Sequence, residues 1–294
     1  MNLNELLLSR KIDPHNVLVF RHRPHEPELN KVLPWLAAER HDLFNAYQQT
    51  QNKMLEGRMK KMEGAGYVAS FIRRGPRKAL FVGLYSIVGS RPLTRREFWQ
   101  IPAFQQLHAH GMEGWSPKET RRVVQWFDLK LTDIYGDWKG KLVVKWPPPE
   151  LSWWRRAHRN KMDVLAILED NDLDAVMPEW NDLDLTWEQL GVLPSRWKSA
   201  LRQWRGIYYI FDKSDRKAYV GSAYGQQNIL GRWEDYAASG DGGNQLLKGR
   251  DPHNFRFSIL ERVSPDMDAG DVIRLESSWK ERLHTRKPHG LNKN

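Results

Sequence analysis

The sequence predicts an α+β protein of two domains. The second is a small three-stranded antiparallel sheet flanked by helices, and the first is a mixed domain with a β-barrel. Three observations carry this. The chain has 294 residues, about two domains at roughly 150 residues each. Forty per cent of it is apolar, with 14 Trp, 9 Tyr and 10 Phe, which is enough to bury a core and excludes a wholly disordered chain. Short strand-like runs set off by turn residues fill the first part, and the last ninety residues read as a compact α+β unit.

Composition narrows the function. There is no cysteine, which excludes disulfide scaffolds, Cys-type zinc fingers and thiol nucleophiles. A reducing, cytoplasmic setting fits. No apolar run approaches the roughly 18 residues of a membrane span, and Met1 does not open a signal peptide, so no membrane partner is expected. Lys and Arg number 46 against 36 Asp and Glu, a net charge of +10. The excess is concentrated, with 17 basic and 9 acidic groups in residues 1–110. Such a balance favours a polyanionic partner.

Residues 1–170 form the first expected domain. Leu36, Leu43, Phe44, Tyr47, Met54, Leu55, Met59 and Met62 recur at helical spacing, which predicts one helix over 36–62 with a core-facing stripe. Tyr67–Arg73 and Ala79–Val88 read as strands around a turn at Arg74-Gly75-Pro76-Arg77-Lys78. Further strand-like runs follow at Trp126–Thr132, Lys141–Trp146 and Met162–Leu168. One early helix and about five strands suggest a small barrel or a strongly bent sheet. Residues 171–203 read as a linker with acidic loops and a short helix near Thr186–Leu190, where Thr186 and Gln189 have capping-box spacing.

Residues 204–294 form the second expected domain. Gly206–Phe211 and a return strand ending in Tyr219-Val220-Gly221 make a hairpin around Asp212-Lys213-Ser214-Asp215. Strand alternation lets Tyr208 and Tyr219 share a face. Gly231–Tyr236 reads as helix, with Arg232 and Tyr236 four apart on one side of it. Phe255–Leu260 is a third strand, and Asp271–Leu283 is a helix carrying Glu276.

This pattern resembles the GIY-YIG endonuclease family over about residues 204–294. The paired signature stands here as Gly206-Ile207-Tyr208 and Tyr219-Val220-Gly221, with ten residues between the tyrosines. The family's following arginine matches Arg232, its His or Tyr one helical turn later matches Tyr236, its metal-binding glutamate matches Glu276 and its C-terminal asparagine matches Asn292. Two departures occur: the segment Tyr224–Leu230 lengthens the gap before Arg232, and the second triplet is Tyr-Val-Gly.

The resemblance implies hydrolysis of phosphodiester bonds with Mg²⁺ or Mn²⁺. Glu276 would hold the metal as a hard carboxylate ligand; otherwise it is a helix carboxylate paired with Lys280 at i+4. Arg232 would hold a phosphate oxygen with its planar fork; otherwise it pairs with Glu234 or Asp235. The family mechanism makes Tyr208 the general base. A free tyrosine titrates near about 10, so neighbouring cations would have to lower it. Lys217, on the strand face of Tyr219, is a candidate helper or a solvated lysine. Tyr219 and Tyr236 would complete a hydroxyl network, with core packing as the plain alternative. Asn292 would orient its neighbours.

The extra N-terminal residues suggest a module that chooses the target. From Lys53 to Arg96 there are 11 basic and 2 acidic residues, interleaved with Tyr67, Phe71, Phe81 and Tyr85. Phosphate contacts with stacking surfaces suit nucleic acid, which makes Arg73, Arg74, Arg77, Lys78 and Tyr85 candidate contacts; the alternative is a solvated basic face. Phe81–Tyr85 inside the expected barrel is similar in pattern to PUA-like modified-base readers. An aromatic pocket walled by Trp99, Trp126, Trp138 and Trp146 would then hold a flipped base.

The expected function is a metal-dependent endonuclease acting on double-stranded, including base-modified, DNA in restriction or anti-phage defence. Alternatives are a mobile-element homing or repair-type nuclease, or a binding protein that keeps the fold without cutting. One site per chain and two strands to cut point to a homodimer or to successive nicks.

Overall fold

A computed structural model describes residues 1–116 and 119–293 and divides into two compact units, Met1–Asp174 and Ala175–Asn294. Among the described residues no helix is long and apolar enough to cross a membrane.

The first unit begins with α1 (Leu3–Ser9). Asn2 caps it by accepting the amides of Asn4 and Glu5, and the Glu5 carboxylate reaches back to Asn2. β1 (Val17–His22) is buried at all six positions, so it shows no alternation to read. The single helix expected over 36–62 is instead three: α2 (Pro27–Glu39), α3 (His41–Gln48) and α4 (Lys53–Lys60). The chain leaves the helical region at Arg40 (φ −123°, ψ 64°), and Thr50 bridges to Trp126. Asn52 then caps α4 through the Leu55 amide at 3.0 Å. Each piece keeps its own buried face, so the apolar spacing runs on through two breaks.

The rest of the unit is β2 (Tyr67–Arg73), β3 (Lys78–Thr94), α5 (Arg95–Gln100), α6 (Pro102–Ala109), β4 (Val123–Leu131), β5 (Leu142–Lys145), β6 (Trp154–Arg156) and β7 (Val164–Ile167). The seven strands form one mixed sheet in the order β6-β1-β2-β3-β5-β7, with β4 also on β3. β1 and β2 run parallel, so α2 to α4 form the crossover between them. Of the expected barrel or strongly bent sheet, the described residues form the bent sheet; the barrel, and with it the PUA-like reading, is not confirmed. β6 and β7, at the two ends of the strand order, do not pair with each other. The reason lies in β3, which is 17 residues long. It pairs with β5 over Lys78–Leu80, with β2 over Ala79–Ser86 and with β4 over Tyr85–Thr94, and its register shifts against β2 and again against β4. Those shifts curl the sheet without closing it. Val19, Phe71, Phe81, Leu84, Val144, Trp146 and Met162 form the core under the curl.

The second unit contains β8 (Asp184–Thr186), α7 (Trp187–Leu190), α8 (Ser195–Gln203), β9 (Arg205–Asp212), β10 (Lys217–Ala223), α9 (Asn228–Ser239), β11 (Phe255–Val263) and α10 (Ala269–Arg282). Of residues 171–203, expected as a linker, 175–203 fall within this unit. β8 pairs with β11, which makes the expected three-stranded sheet four-stranded, in the order β10-β9-β11-β8. A three-residue strand following acidic loops offers no alternation to detect. Thr186 and Gln189 form the capping box at α7. On one face, Ile207, Val220 and Val263 pack with Val272 of α10. On the other, Trp233 and Tyr236 of α9 pack with Phe257 at ring distances of 6.1 and 5.7 Å.

The β9–β10 turn is held by a buried carboxylate. Asp212 accepts the Ser214 hydroxyl at 2.6 Å, the Ser214 amide at 2.9 Å and Arg250 Nη1 at 2.6 Å; Arg250 Nη2 also reaches Asp215 at 2.9 Å. Burial raises the Asp212 pKa, but these donors outweigh it and the net shift is downward. A lowered carboxylate stabilises above its unfolded value and loses that contribution as pH falls through the folded one. Asp212→Asn is therefore expected to cost about 2 kcal/mol at pH 7 in urea unfolding. The gap from wild type should narrow only below about pH 4. An equal gap at pH 7 and pH 3 would rule the ionised carboxylate out as the cause.

Candidate active site

Cross-strand pairing sets the site. In β9 and β10, Gly221 lies opposite Tyr208 and Tyr219 lies opposite Ile210, so Tyr208 and Tyr219 share a face as expected. Their ring centroids are 6.3 Å apart. Gly221 is required here by close approach: a Cβ at this position would lie 2.3 Å from Tyr208 Oη. The ring therefore packs directly on the β10 backbone.

α9 completes the cluster. Tyr236 Oη is 3.2 Å from Tyr208 Oη, and Arg232 Nη2 is 3.5 Å from the same oxygen. The Arg232 guanidinium stands over the Tyr236 ring at 5.5 Å. Its other nitrogen lies 3.5 Å from Asp235, so the ion pair weighed from the sequence coexists with the tyrosine contact. Tyr236 is buried and doubly anchored. Trp187 donates its indole N–H to the Tyr236 carbonyl at 2.8 Å, and Gly242 (φ +56°) packs against its ring.

The electrostatics depart from the expectation that cations lower the Tyr208 pKa. Burial raises it, the neighbouring Tyr219 adds to that, and Arg232 acts in the opposite direction without prevailing. Burial and the two other tyrosines push Tyr236 up as well. The cluster thus holds neutral phenols beside one guanidinium.

Glu276 lies on the other face of the sheet. It accepts a hydrogen bond from the Ser222 hydroxyl and pairs with Lys280 Nζ at 2.6 Å, the i+4 pair weighed from the sequence. Ser222 lies opposite Ile207, on the α10 face, and directly follows Gly221. The structure therefore brings Tyr208, Tyr219, Arg232 and Tyr236 together, and sets Glu276 across β10 from them, one residue along the strand. Asn292 pins the outer edge of β10. Its Nδ2 donates to the Val220 carbonyl at 2.8 Å, and its Oδ1 accepts the Val220 amide at 2.9 Å. Lys217 begins β10 opposite Asp212, and its ammonium has no hydrogen bond to either tyrosine among the described residues. Ser222 and Gly242 carry no sequence signal for the site, because single polar or glycine residues give no spacing, whereas Lys280 is legible by its i+4 spacing from Glu276.

A hard carboxylate such as Glu276 suits Mg²⁺ or Mn²⁺ with most of its shell left to water and phosphate. Among the described residues no group of three or more His, Cys, Asp or Glu side chains could enclose a metal. A single ligand at an accessible edge fits such an open site, provided that Lys280 yields its place.

In the first unit the expected nucleic-acid contacts separate. Arg73, Arg77 and Lys78 are exposed around the β2–β3 turn, while Arg74 is ion-paired with Asp172. Tyr85 is not available for stacking. It is fully buried, its ring stacks on His41 at 5.6 Å, and its hydroxyl is 3.0 Å from His41 Nε2. Phe71 and Phe81 are likewise buried, because both faces of the curled sheet are covered here.

Comparison with known proteins finds matches within the second unit. Residues 205–289 match the GIY-YIG catalytic domain. A solved structure, the catalytic domain of the homing endonuclease I-TevI, is similar at 26% sequence identity; the match covers 31% of this chain and 98% of that one, with a TM-score of 0.23. No curated protein matches. The matched domain is that of a nuclease, a phosphodiester hydrolase.

Packing makes a direct prediction. Gly221→Ala should drive the Tyr208 ring off β10 and lower the unfolding free energy by about 1–3 kcal/mol. Asn292→Ala should cost about 1–3 kcal/mol by leaving the Val220 amide and carbonyl unpaired. Urea unfolding of each variant checks both, and a wild-type midpoint for Gly221→Ala would contradict the close packing.

Proposed function

We propose that the chain is a Mg²⁺- or Mn²⁺-dependent endonuclease of double-stranded DNA that serves in restriction or anti-phage defence. In this reading the C-terminal unit cuts and the N-terminal unit holds the target, base-modified DNA included. The observation that carries the nuclease reading is the cluster of Tyr208, Tyr236 and Arg232 beside an edge strand whose far side presents Glu276. The large first unit, with Arg73 and Arg77 exposed, supports the division of labour. One site per chain supports action as a homodimer or by successive nicks.

In the proposed reaction the scissile phosphate lies at the open edge of β10 beside Ser222. Arg232 binds a non-bridging oxygen with its fork. Tyr208, in its deprotonated form, orients the attacking water and accepts its proton, Tyr236 donates to the Tyr208 oxygen and holds it in place, Tyr219 borders the phosphate, and the leaving oxygen takes its proton from solvent. Glu276 would hold the metal, which supplies charge relief at the phosphate. Asn292 keeps β10 in register. Lys217 has no role in this scheme beyond its positive charge at the strand's start.

The expected assay is cleavage of unmodified, 5-methylcytosine-containing and hydroxymethylated DNA with Mg²⁺. Glu276→Ala should abolish cutting, and Arg232→Ala should slow it about 10²–10³-fold. Cutting confined to modified DNA would support the defence reading, and equal cutting of all three would remove the modified-base part. Retention of full activity by Glu276→Ala would end the assignment.

The pH profile tests the base. A phenol whose pKa is raised holds its proton through neutrality, so its basic form increases tenfold per pH unit. The single-turnover rate should therefore climb without a plateau from pH 6 to 9.5, and Tyr208→Phe should remove the slope along with most of the activity. A plateau near pH 7 would exclude Tyr208 as the base.

A further inference from the structure

Away from the tyrosine cluster, the first unit contains a cleft of about 950 Å³ at the carboxyl ends of the parallel strands β1 and β2. That lies within the roughly 300–1,000 Å³ typical of small-molecule sites. His22 ends β1, Arg23 follows it and Arg73 ends β2, and all three line the cleft. Tyr47 and Trp153 add half-buried aromatic surface.

Charge in the cleft is unbalanced. Arg21 is buried and pairs with Glu150 at 3.3 Å, yet its Nε has no partner. Burial lowers its pKa; Glu150 opposes this, and the nearby Arg73 and Arg23 charges reinforce it. Arg23 and Arg73 are exposed and make no ion pair among the described residues. Of the other cleft carboxylates, Glu119 is taken by Arg121 at 2.8 Å, and Glu26 accepts the Glu113 amide at 3.1 Å and lies 3.7 Å from His25 Nδ1. Two guanidinium forks are thus left for an external anion.

The floor of the cleft is neutral and polar. His22 is enclosed by the rings of Phe44 and Tyr47, each 5.3 Å away. Burial lowers its pKa to about 4, so it carries no charge near neutrality. Its Nε2 is 3.3 Å from Gln48 Oε1, which also accepts the Ser70 hydroxyl, so the network assigns the proton to Nε2 and leaves Nδ1 as an acceptor. An inorganic anion would use the arginines but not the rings, and an apolar ligand would use the rings but not the arginines.

We propose that this cleft binds one nucleotide, its base against Tyr47 and Trp153 and its phosphate on Arg23 and Arg73. The occupant is a nucleotide turned out of the DNA, an assignment that rests on the reading that the N-terminal unit holds the target. The same chemistry would also accept a free nucleotide, and the experiment separates the two.

The full chain in EDTA is titrated against a duplex carrying one unpaired 2-aminopurine nucleotide, the same duplex fully paired, and deoxyadenosine monophosphate. Wild type should bind the unpaired duplex at least about tenfold more tightly than the paired one and quench its fluorescence, as expected for a stacked base. Trp153→Ala should bring the two duplexes within twofold of each other. The double variant Arg23→Ala/Arg73→Ala should do the same, and because both positions are exposed it guards against misfolding of Trp153→Ala. Equal binding of both duplexes by wild type, with Mg²⁺-dependent cleavage intact, would overturn the assignment and spare the nuclease. Tight binding of the monophosphate alone, lost in the arginine variant, would keep the nucleotide site and replace its occupant by a free nucleotide. Absence of both DNA binding and cleavage would overturn the assignment and the nuclease reading together.

Discussion

The Tyr208 ring rests on β10 only because position 221 has no side chain. From that contact follow the positions of the other groups. A hydroxyl held this close to the strand meets Tyr236 Oη at 3.2 Å, and Arg232, one helical turn before Tyr236, comes within 3.5 Å of the same oxygen. Gly242 repeats the device on the Tyr236 ring, where a Cβ would lie 2.6 Å from Cε1. Packing this tight leaves the phenols few alternative positions. The pair of glycines thus does by exclusion what hydrogen bonds alone would do loosely.

β10 is also the wall between two chemistries. On one side stand three phenols and a guanidinium, and on the other stands a carboxylate with its lysine. A central strand would keep the two apart, but β10 is an edge strand. Asn292 occupies its outer edge at Val220, and the Leu291 amide bonds the Ala218 carbonyl at 2.8 Å. Among the described residues these contacts cover the start of the edge and stop short of Ser222. Sealing an edge is a general need of sheets, and here the seal is partial. Ser222, at the uncovered end, joins the two sides: its neighbour Gly221 touches Tyr208, and its own hydroxyl bonds Glu276.

The parts of the fold legible in the sequence were those with local signals. The β9–β10 hairpin has two aromatic runs around a polar turn, and α9 and α10 have spaced apolar faces. Strand alternation puts Tyr208 with Tyr219 and helical spacing puts Arg232 with Tyr236, each over a few residues, and the resemblance to the GIY-YIG family joins the two pairs in one site. What was not legible depended on distant partners. β1 is buried throughout and shows no period, β8 is three residues long, and the two breaks between α2 and α4 leave the apolar spacing unchanged. Tyr85 has the sequence context of a surface aromatic, but His41, 44 positions earlier, covers it. Curvature was legible in the first unit and closure was not, since closure depends on whether β6 and β7 meet.

The electrostatics of the second unit explain why such a site would need its substrate to become complete. Burial keeps Tyr208 and Tyr236 neutral, so Arg232 is the charge that the tyrosine side presents. On the opposite side, Glu276 is neutralised by Lys280 at 2.6 Å. An arriving phosphodiester is an anion for which both cations are partners. Lys280 can move to it without losing an ionic partner, which frees the Glu276 oxygens for a hard cation. Exchange of one ion pair for another costs far less than exposing a buried unpaired charge. The Glu276–Lys280 pair is therefore compatible with the proposed metal binding, and in that proposal it would tie the availability of the carboxylate to the presence of the phosphate.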